Sequence, residues 1–324
     1  MSGQVLPSAF LPPVWLRGPH AQTILPNTLR LQPSLPGDWE DVTLSDGDRV
    51  ELLWSGPPSG PIALLLHGLG GSGESPPMRG LARALVSRGW RVARFHFRGA
   101  GRRPNLRPTS YHSGMTADPL EVLHVLARRY AERPRVAVGV SLGGNVLLRL
   151  LGEQGGDAPL DAAVAISVPF DLSICVHRMN QGFSRMYQRV LLRRLRPLIT
   201  QRRELLRSHI DVESALAATT FRAFDELVTA PLHGYANADD YYLRASSRPI
   251  LRRISRPTLI LHSADDPFMS PAVVPAAEEL ADGVTLELSQ AGGHVGFVQG
   301  PPWRPTCWLD GRVADWLEAY RSRA

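Results

Sequence analysis

The chain contains no lysine: all 36 basic residues among its 324 positions are arginine. That absence excludes a Schiff-base lysine and the covalent amine chemistry that goes with it. It equally excludes a phosphate-binding loop of the G-x-x-x-x-G-K-[ST] type, the commonest cradle of nucleotide hydrolases. Cysteine is nearly absent as well. Cys175 and Cys307 are too few for a disulfide framework or a thiolate zinc site, and a cytosolic pair stays reduced. No run of roughly 18 apolar residues offers a membrane span. The opening stretch is broken by Pro7, Pro12 and Pro13 and lacks a basic start, so no secretory signal is read there and the expected location is the cytoplasm.

What is present is globular in character, with 44% hydrophobic and 20% charged residues. At roughly 150 residues per domain, the length allows one large domain or two ordinary ones. The formal net charge of +6 permits an anionic partner, but the arginines are spread along the chain and no recognition motif accompanies them. Nucleic acid is not an expected partner.

Short apolar runs alternate with helical patterns. IALLLH from Ile62, RVARFHF from Arg91, RVAVGVS from Arg135, AAVAIS from Ala162 and TLILHS from Thr258 read as buried strands. Between them, the segments from Met78 and from Asp118 have helical spacing, the latter stopped by Pro134. Such alternation predicts a parallel sheet with right-handed crossovers. DVTLSDGDRVELLWSG turns at Asp46-Gly47-Asp48 and predicts a hairpin that adds antiparallel strands at one edge. The rhythm breaks for about 80 residues between Pro169 and Ser247, where helical patterns stand without a strand. The expected organisation is a core made of residues 1–168 and 249–324, with residues 169–248 inserted as a helical cap.

Two glycine-rich turns compete for the chemistry. Gly68, Gly70 and Gly73 satisfy a G-x-G-x-x-G dinucleotide fingerprint, but the region about 20 positions on, WRVARFHFRG, has no acid to bind a ribose. GVSLG from Gly139 to Gly143 follows a strand and precedes a helix-like segment, the context that a nucleophile elbow requires. The small residues let the chain turn sharply and lift the Ser141 hydroxyl clear of the sheet. A serine hydroxyl is a weak nucleophile, so it needs a histidine base and an acid that orients the imidazole. ADDP follows the strand from Thr258, and AGGHVGF follows the run VTLELS. The acid is therefore Asp265 or Asp266, which spacing alone does not separate. The base is His294, set in a loop between Gly292, Gly293 and Gly296; His67 and His262, at strand ends, are its competitors. An oxyanion needs backbone N–H donors, and the residue after the nucleophile, Leu142, supplies one. HGLGG from His67 supplies the other, through Leu69 or, second, Gly70.

Several local strings carry a closer resemblance. PHAQTILP, HGLGGS, FHFRGAG, YHSGMTAD, GVSLGGN, FDELVTAPLHGYANADDYY and HSADDPFM occur in the order of the YheT group of α/β-hydrolases, over most of the chain. The resemblance implies an α/β-hydrolase fold: a mostly parallel central sheet with an antiparallel edge, helices on both faces and a helical cap. It also implies a Ser-Asp-His triad and acyl-ester substrates, since eukaryotic relatives include lipid esterases, phospholipases and medium-chain alcohol acyltransferases. Hydrolases of this class often carry a G-x-x-D-P turn, with which Asp266 aligns, giving Ser141, Asp266 and His294. His20, Gln22 and Thr23 match an N-terminal motif of the group, either as a structural tether or as a substrate contact.

The expected activity is carboxylic-ester hydrolysis through an acyl-enzyme on Ser141, with no metal or organic cofactor and a small-molecule or lipid-like ester as partner. Transfer of the same acyl group to an alcohol and a catalytically silent binding scaffold are the alternatives. The basic cap stretch from Arg189, RVLLRRLRPLITQRRELLR, reads either as a solvated cap helix or as a weak contact with an anionic membrane surface.

Overall fold

The computed structural model describes residues 3–28 and 33–322. Nine strands form one sheet: β1 Gln4–Pro7, β2 Asp38–Thr43, β3 Arg49–Ser55, β4 Ile62–Leu66, β5 Arg91–His96, β6 Arg135–Val140, β7 Ala162–Ile166, β8 Thr258–Ser263 and β9 Val284–Ser289. Their spatial order is β1-β9-β8-β7-β6-β4-β5-β3-β2. β3 runs antiparallel to both β2 and β5, which makes the expected antiparallel edge, and the other neighbours pair in parallel. The central strands are buried along their whole length and mostly apolar because both faces are covered.

The period of two along each strand divides the core. Leu64, Leu66, Ala137, Ala163, Ala165 and Ile260 face one side, together with helices α3 (Ala117–Arg129) and α4 (Leu142–Gln154). Leu65, Val92, Val138, Val164 and Leu261 face the other, against α2 (Pro76–Ser87) and the C-terminal helix Trp308–Leu317. Between β7 and β8 lie only helical elements, the cap, beginning with α5 (Leu172–Met179) and α6 (Ser184–Thr200). The cap's buried side chains, among them Leu192, Leu195 and Phe224, join the core layer of α3 and α4. Asn145 of α4 is fully buried and donates to the carbonyls of Ser113 and Ala245, while its own oxygen accepts the N–H of Ser247. This one amide ties the elbow helix to the end of the cap.

The N-terminal elements were not anticipated, nor were the C-terminal helix Trp308–Leu317 and the short antiparallel pair Val298–Gln299 and Thr306–Cys307 before it. β1 pairs in parallel with β9 at the sheet edge, with Val5 opposite Leu286. A helix, α1, spans Pro19–Thr28 with Pro26 inside it. Both lie in a proline-broken stretch without apolar periodicity, so tertiary contacts rather than local pattern define them. Among the described residues no helix is long and apolar enough to cross a membrane.

Candidate active site

Ser141 stands between β6 and α4 with φ 53° and ψ −118°, a backbone conformation rarely taken by a residue with a side chain. The glycines around it are there for clearance. A Cβ on Gly143 would lie 2.3 Å from the Leu66 carbonyl oxygen, and one on Gly139 would lie 2.4 Å from that of Gly143. Close packing of backbone on backbone thus forces the sharp turn, and the Ser141 N–H is held by the Ile166 carbonyl at 2.8 Å.

His294 lies on the loop after β9. Its Nε2 is 3.0 Å from Ser141 Oγ and its Nδ1 is 2.7 Å from Asp266 Oδ2. With Nδ1 protonated, the ring donates to Asp266 and accepts from the serine hydroxyl, so it can take the serine proton while the carboxylate supports the resulting imidazolium. Asp266 and His294 are buried. The Phe268 ring stacks on the imidazole at 3.9 Å, and the other Asp266 oxygen accepts the Phe268 N–H at 2.8 Å.

The structure separates the two neighbouring aspartates. Asp265 turns away from the ring; its Oδ1 accepts the N–H of Gly293 at 2.9 Å and the Ser263 hydroxyl. It holds the histidine loop rather than the histidine. Neither competing histidine meets Ser141. His67 is fully buried, with Nδ1 2.8 Å from the Gly68 carbonyl and Nε2 accepting the Phe97 N–H, and burial pushes its pKa down to about 3. Burial likewise lowers His262 to about 4, and its ring packs on Phe170.

Of the two candidate donors after β4, Gly70 is taken: its N–H donates to the Tyr111 hydroxyl at 2.8 Å. The N–H groups of Leu69 and of Leu142, at the first turn of α4, have no hydrogen-bond partner among the described residues. The loop that carries Leu69 lies against the serine, since a Cβ on Gly68 would come within 3.2 Å of Ser141 Cβ. Two backbone donors on segments adjoining Ser141 are therefore unclaimed, the kind of group that holds an oxyanion.

α1 supplies parts of the site whose role the sequence left open. The Thr23 hydroxyl accepts the His294 N–H at 2.9 Å and donates to the Pro19 carbonyl. Gln22, fully buried, accepts the Val298 N–H at 2.7 Å and donates to the carbonyls of Val298 and Leu16. His20 is 3.0 Å from the Tyr187 hydroxyl of α6. Gln22 and Thr23 are thus tethers of the histidine loop, and His20 joins α1 to the cap. Gly293 and Gly296 permit this approach, as Cβ atoms there would lie 2.5 Å from the Pro19 carbonyl and 2.3 Å from that of Gln22.

A cavity of about 250 Å³ opens over Ser141, between the sheet and the cap. Its cap wall is mostly apolar, formed by residues such as Leu172, Leu195, Ile199, Phe224 and Val228, with Arg194 and Arg202 also on it. One carboxyl interrupts that wall. Asp225, in a single wide π turn over Asp225–Thr229, accepts hydrogen bonds from Thr229 Oγ1 at 2.6 Å and Tyr242 Oη at 2.9 Å, and burial pushes its pKa up to about 6. Nothing in the sequence pattern marked it as a cavity residue.

Residues 61–301 match the alpha/beta hydrolase fold family. The chain is 42% identical over 317 residues to the Escherichia coli K12 protein named "Putative esterase YheT", covering 96% of this chain and 93% of that one. It is 28% identical over 326 residues to human "Phospholipase ABHD3", covering 97% of this chain and 80% of the relative. Among solved structures, the Pyrococcus furiosus esterase Pf2001 superposes with a TM-score of 0.57 at 17% identity, over 90% of this chain and 97% of that one, a likeness of fold.

Proposed function

Because the chain belongs to the α/β-hydrolase fold family, and within it to the group of YheT, we propose that it is a serine hydrolase of carboxylic esters with Ser141 as nucleophile. Ser141 Oγ attacks the acyl carbon as its proton passes to His294 Nε2, and Asp266 supports the imidazolium. The N–H groups of Leu69 and Leu142 take the oxyanion. Collapse of the tetrahedral intermediate returns the proton from Nε2 to the leaving alcohol and leaves an acyl-enzyme. Water then attacks the acyl carbon as its proton passes to His294 Nε2, and collapse returns that proton to Ser141 Oγ and releases the acid. The observation that carries this reading is the continuous chain of contacts from Ser141 Oγ through His294 to Asp266, at 3.0 and 2.7 Å.

The apolar cap wall supports an acyl or lipid-like ester, in keeping with the name of the human relative. We take residues 1–168 and 249–324 as the two parts of the hydrolase core and residues 169–248 as the cap that shapes the acyl site. The two free cysteines accord with work in the cytoplasm.

Hydrolysis of p-nitrophenyl esters from short to long acyl chains tests the proposal. Ser141→Ala and His294→Ala, shown to be folded, are expected to lower kcat by about 10³-fold or more. Wild-type turnover that survives Ser141→Ala within about tenfold would remove the acyl-enzyme from the mechanism.

A further inference from the structure

Between Asp171 and Glu204 the chain has no acidic residue and eight arginines. α6 forms the middle of this stretch. Its inward side is apolar: Leu192, Leu195 and Ile199 are buried, and Leu191, Leu195 and Leu198 line the cavity over Ser141. Its outward side carries Arg185, Arg189, Arg193 and Arg196, all exposed and recurring at helical spacing.

These four guanidinium groups have no hydrogen-bond or ion-pair partner among the described residues. Several surface arginines elsewhere find carboxylates: Arg88 meets Asp315, Arg129 meets Glu40, Arg222 meets Asp239 and Arg248 meets Glu279. Like charges one helical turn apart repel, so this face is held at a cost that an anionic surface would relieve. Apolar side chains share the same outward face. Phe183 at the helix start, Met186 and Val190 are 46%, 41% and 38% exposed.

We propose that the outer face of α6 docks on an anionic lipid bilayer, its arginines over the headgroups and Phe183, Met186 and Val190 at the headgroup boundary. A bilayer fits better than a nucleic acid because the face mixes cations with aliphatic side chains, and because the opposite side of the same helix is the wall of an apolar cavity. Docking there sets the cavity wall one helix diameter from the lipid. The attraction is electrostatic and shallow, since the helix's own leucines are already buried in the protein, so it weakens with salt.

The test is sedimentation of the purified full chain with vesicles of phosphatidylcholine alone or mixed with phosphatidylglycerol, at low and high salt. It reads binding and not turnover, so its failure and the failure of the ester-hydrolase reading are separate results. Wild type is expected to bind the phosphatidylglycerol vesicles at low salt, to leave them at high salt and to ignore phosphatidylcholine. Neutralising α6 with Arg185→Gln, Arg189→Gln, Arg193→Gln and Arg196→Gln together should lower the partition coefficient by about a hundredfold or more. The single reversal Arg189→Glu should lower it by about tenfold. A control removes the same charge elsewhere, at the exposed Arg17, Arg128, Arg253 and Arg304, and should change it far less. Equal loss from the two quadruple sets would reduce the effect to net charge and overturn the proposal. So would failure of wild type to bind phosphatidylglycerol vesicles, with or without capture of a single-stranded oligonucleotide by the same face.

Discussion

One step along the chain separates Asp265 from Asp266, and the turn after β8 sends their carboxyl groups to different partners. Asp266 meets the imidazole of His294, whereas Asp265 meets the backbone of Gly293 and the hydroxyl of Ser263. Under the proposed mechanism Asp266→Asn lowers kcat by about 10³ to 10⁴-fold, because an amide cannot support the imidazolium. Asp265→Asn costs about tenfold, by loosening the loop. Kinetics of the two variants on one ester check this, and a larger loss at Asp265 would reverse the assignment. Chain order and the glycine-flanked turns made Ser141 and His294 legible from residues alone. The choice between adjacent aspartates was not, because it depends on side-chain direction within a turn, and only resemblance favoured Asp266. Leu69 was already preferred to Gly70 from the sequence, but the physical reason is Tyr111, a contact 41 residues away that no local pattern contains.

At the scale of elements, the strands and the hairpin were legible because burial on both faces writes itself as apolar runs and a tight turn as Asp-Gly. α1 and β1 were not, since their stability comes from distant segments. The histidine loop is positioned by α1 rather than by its own sequence, which assigns Thr23 a measurable role. Thr23→Val keeps the shape but withdraws the acceptor of the His294 N–H. It should lower kcat by about tenfold with KM nearly unchanged, as expected for a group that positions the base and does not touch substrate. A change confined to KM would place Thr23 against the substrate instead. Gln22→Leu strips partners from the Val298 backbone and the Leu16 carbonyl in a fully buried place, and should cost roughly 2 to 4 kcal/mol in urea denaturation. Stability within about 0.5 kcal/mol of wild type would mean that α1 is not a tether.

Across the whole molecule, buried histidines couple stability to pH, His67, His96 and His262 among them. Burial lowers His67 to about 3 and His96 and His262 to about 4, so each is neutral in the fold and takes up a proton near pH 6.5 once unfolded. Their contribution is present above pH 6.5 and is lost as pH falls toward 4. Asp225, raised to about 6, acts in the opposite sense over the same range, but the lowered histidines, His112 and His233 included, outnumber it. Between pH 7 and pH 5 each histidine removes about 2 kcal/mol, and His96→Gln should flatten the fall by that amount. Urea midpoints at the two pH values measure it; a wild type as stable at pH 5 as at pH 7 would contradict the burial. The central claim concerns one oxygen atom. A fluorophosphonate probe added to the folded protein, with the adduct located by mass spectrometry, tests it most directly. The account predicts a single phosphonate on Ser141, formed slowly or not at all in His294→Ala. Folded wild-type protein that fails to label, or labels at another serine, would contradict it.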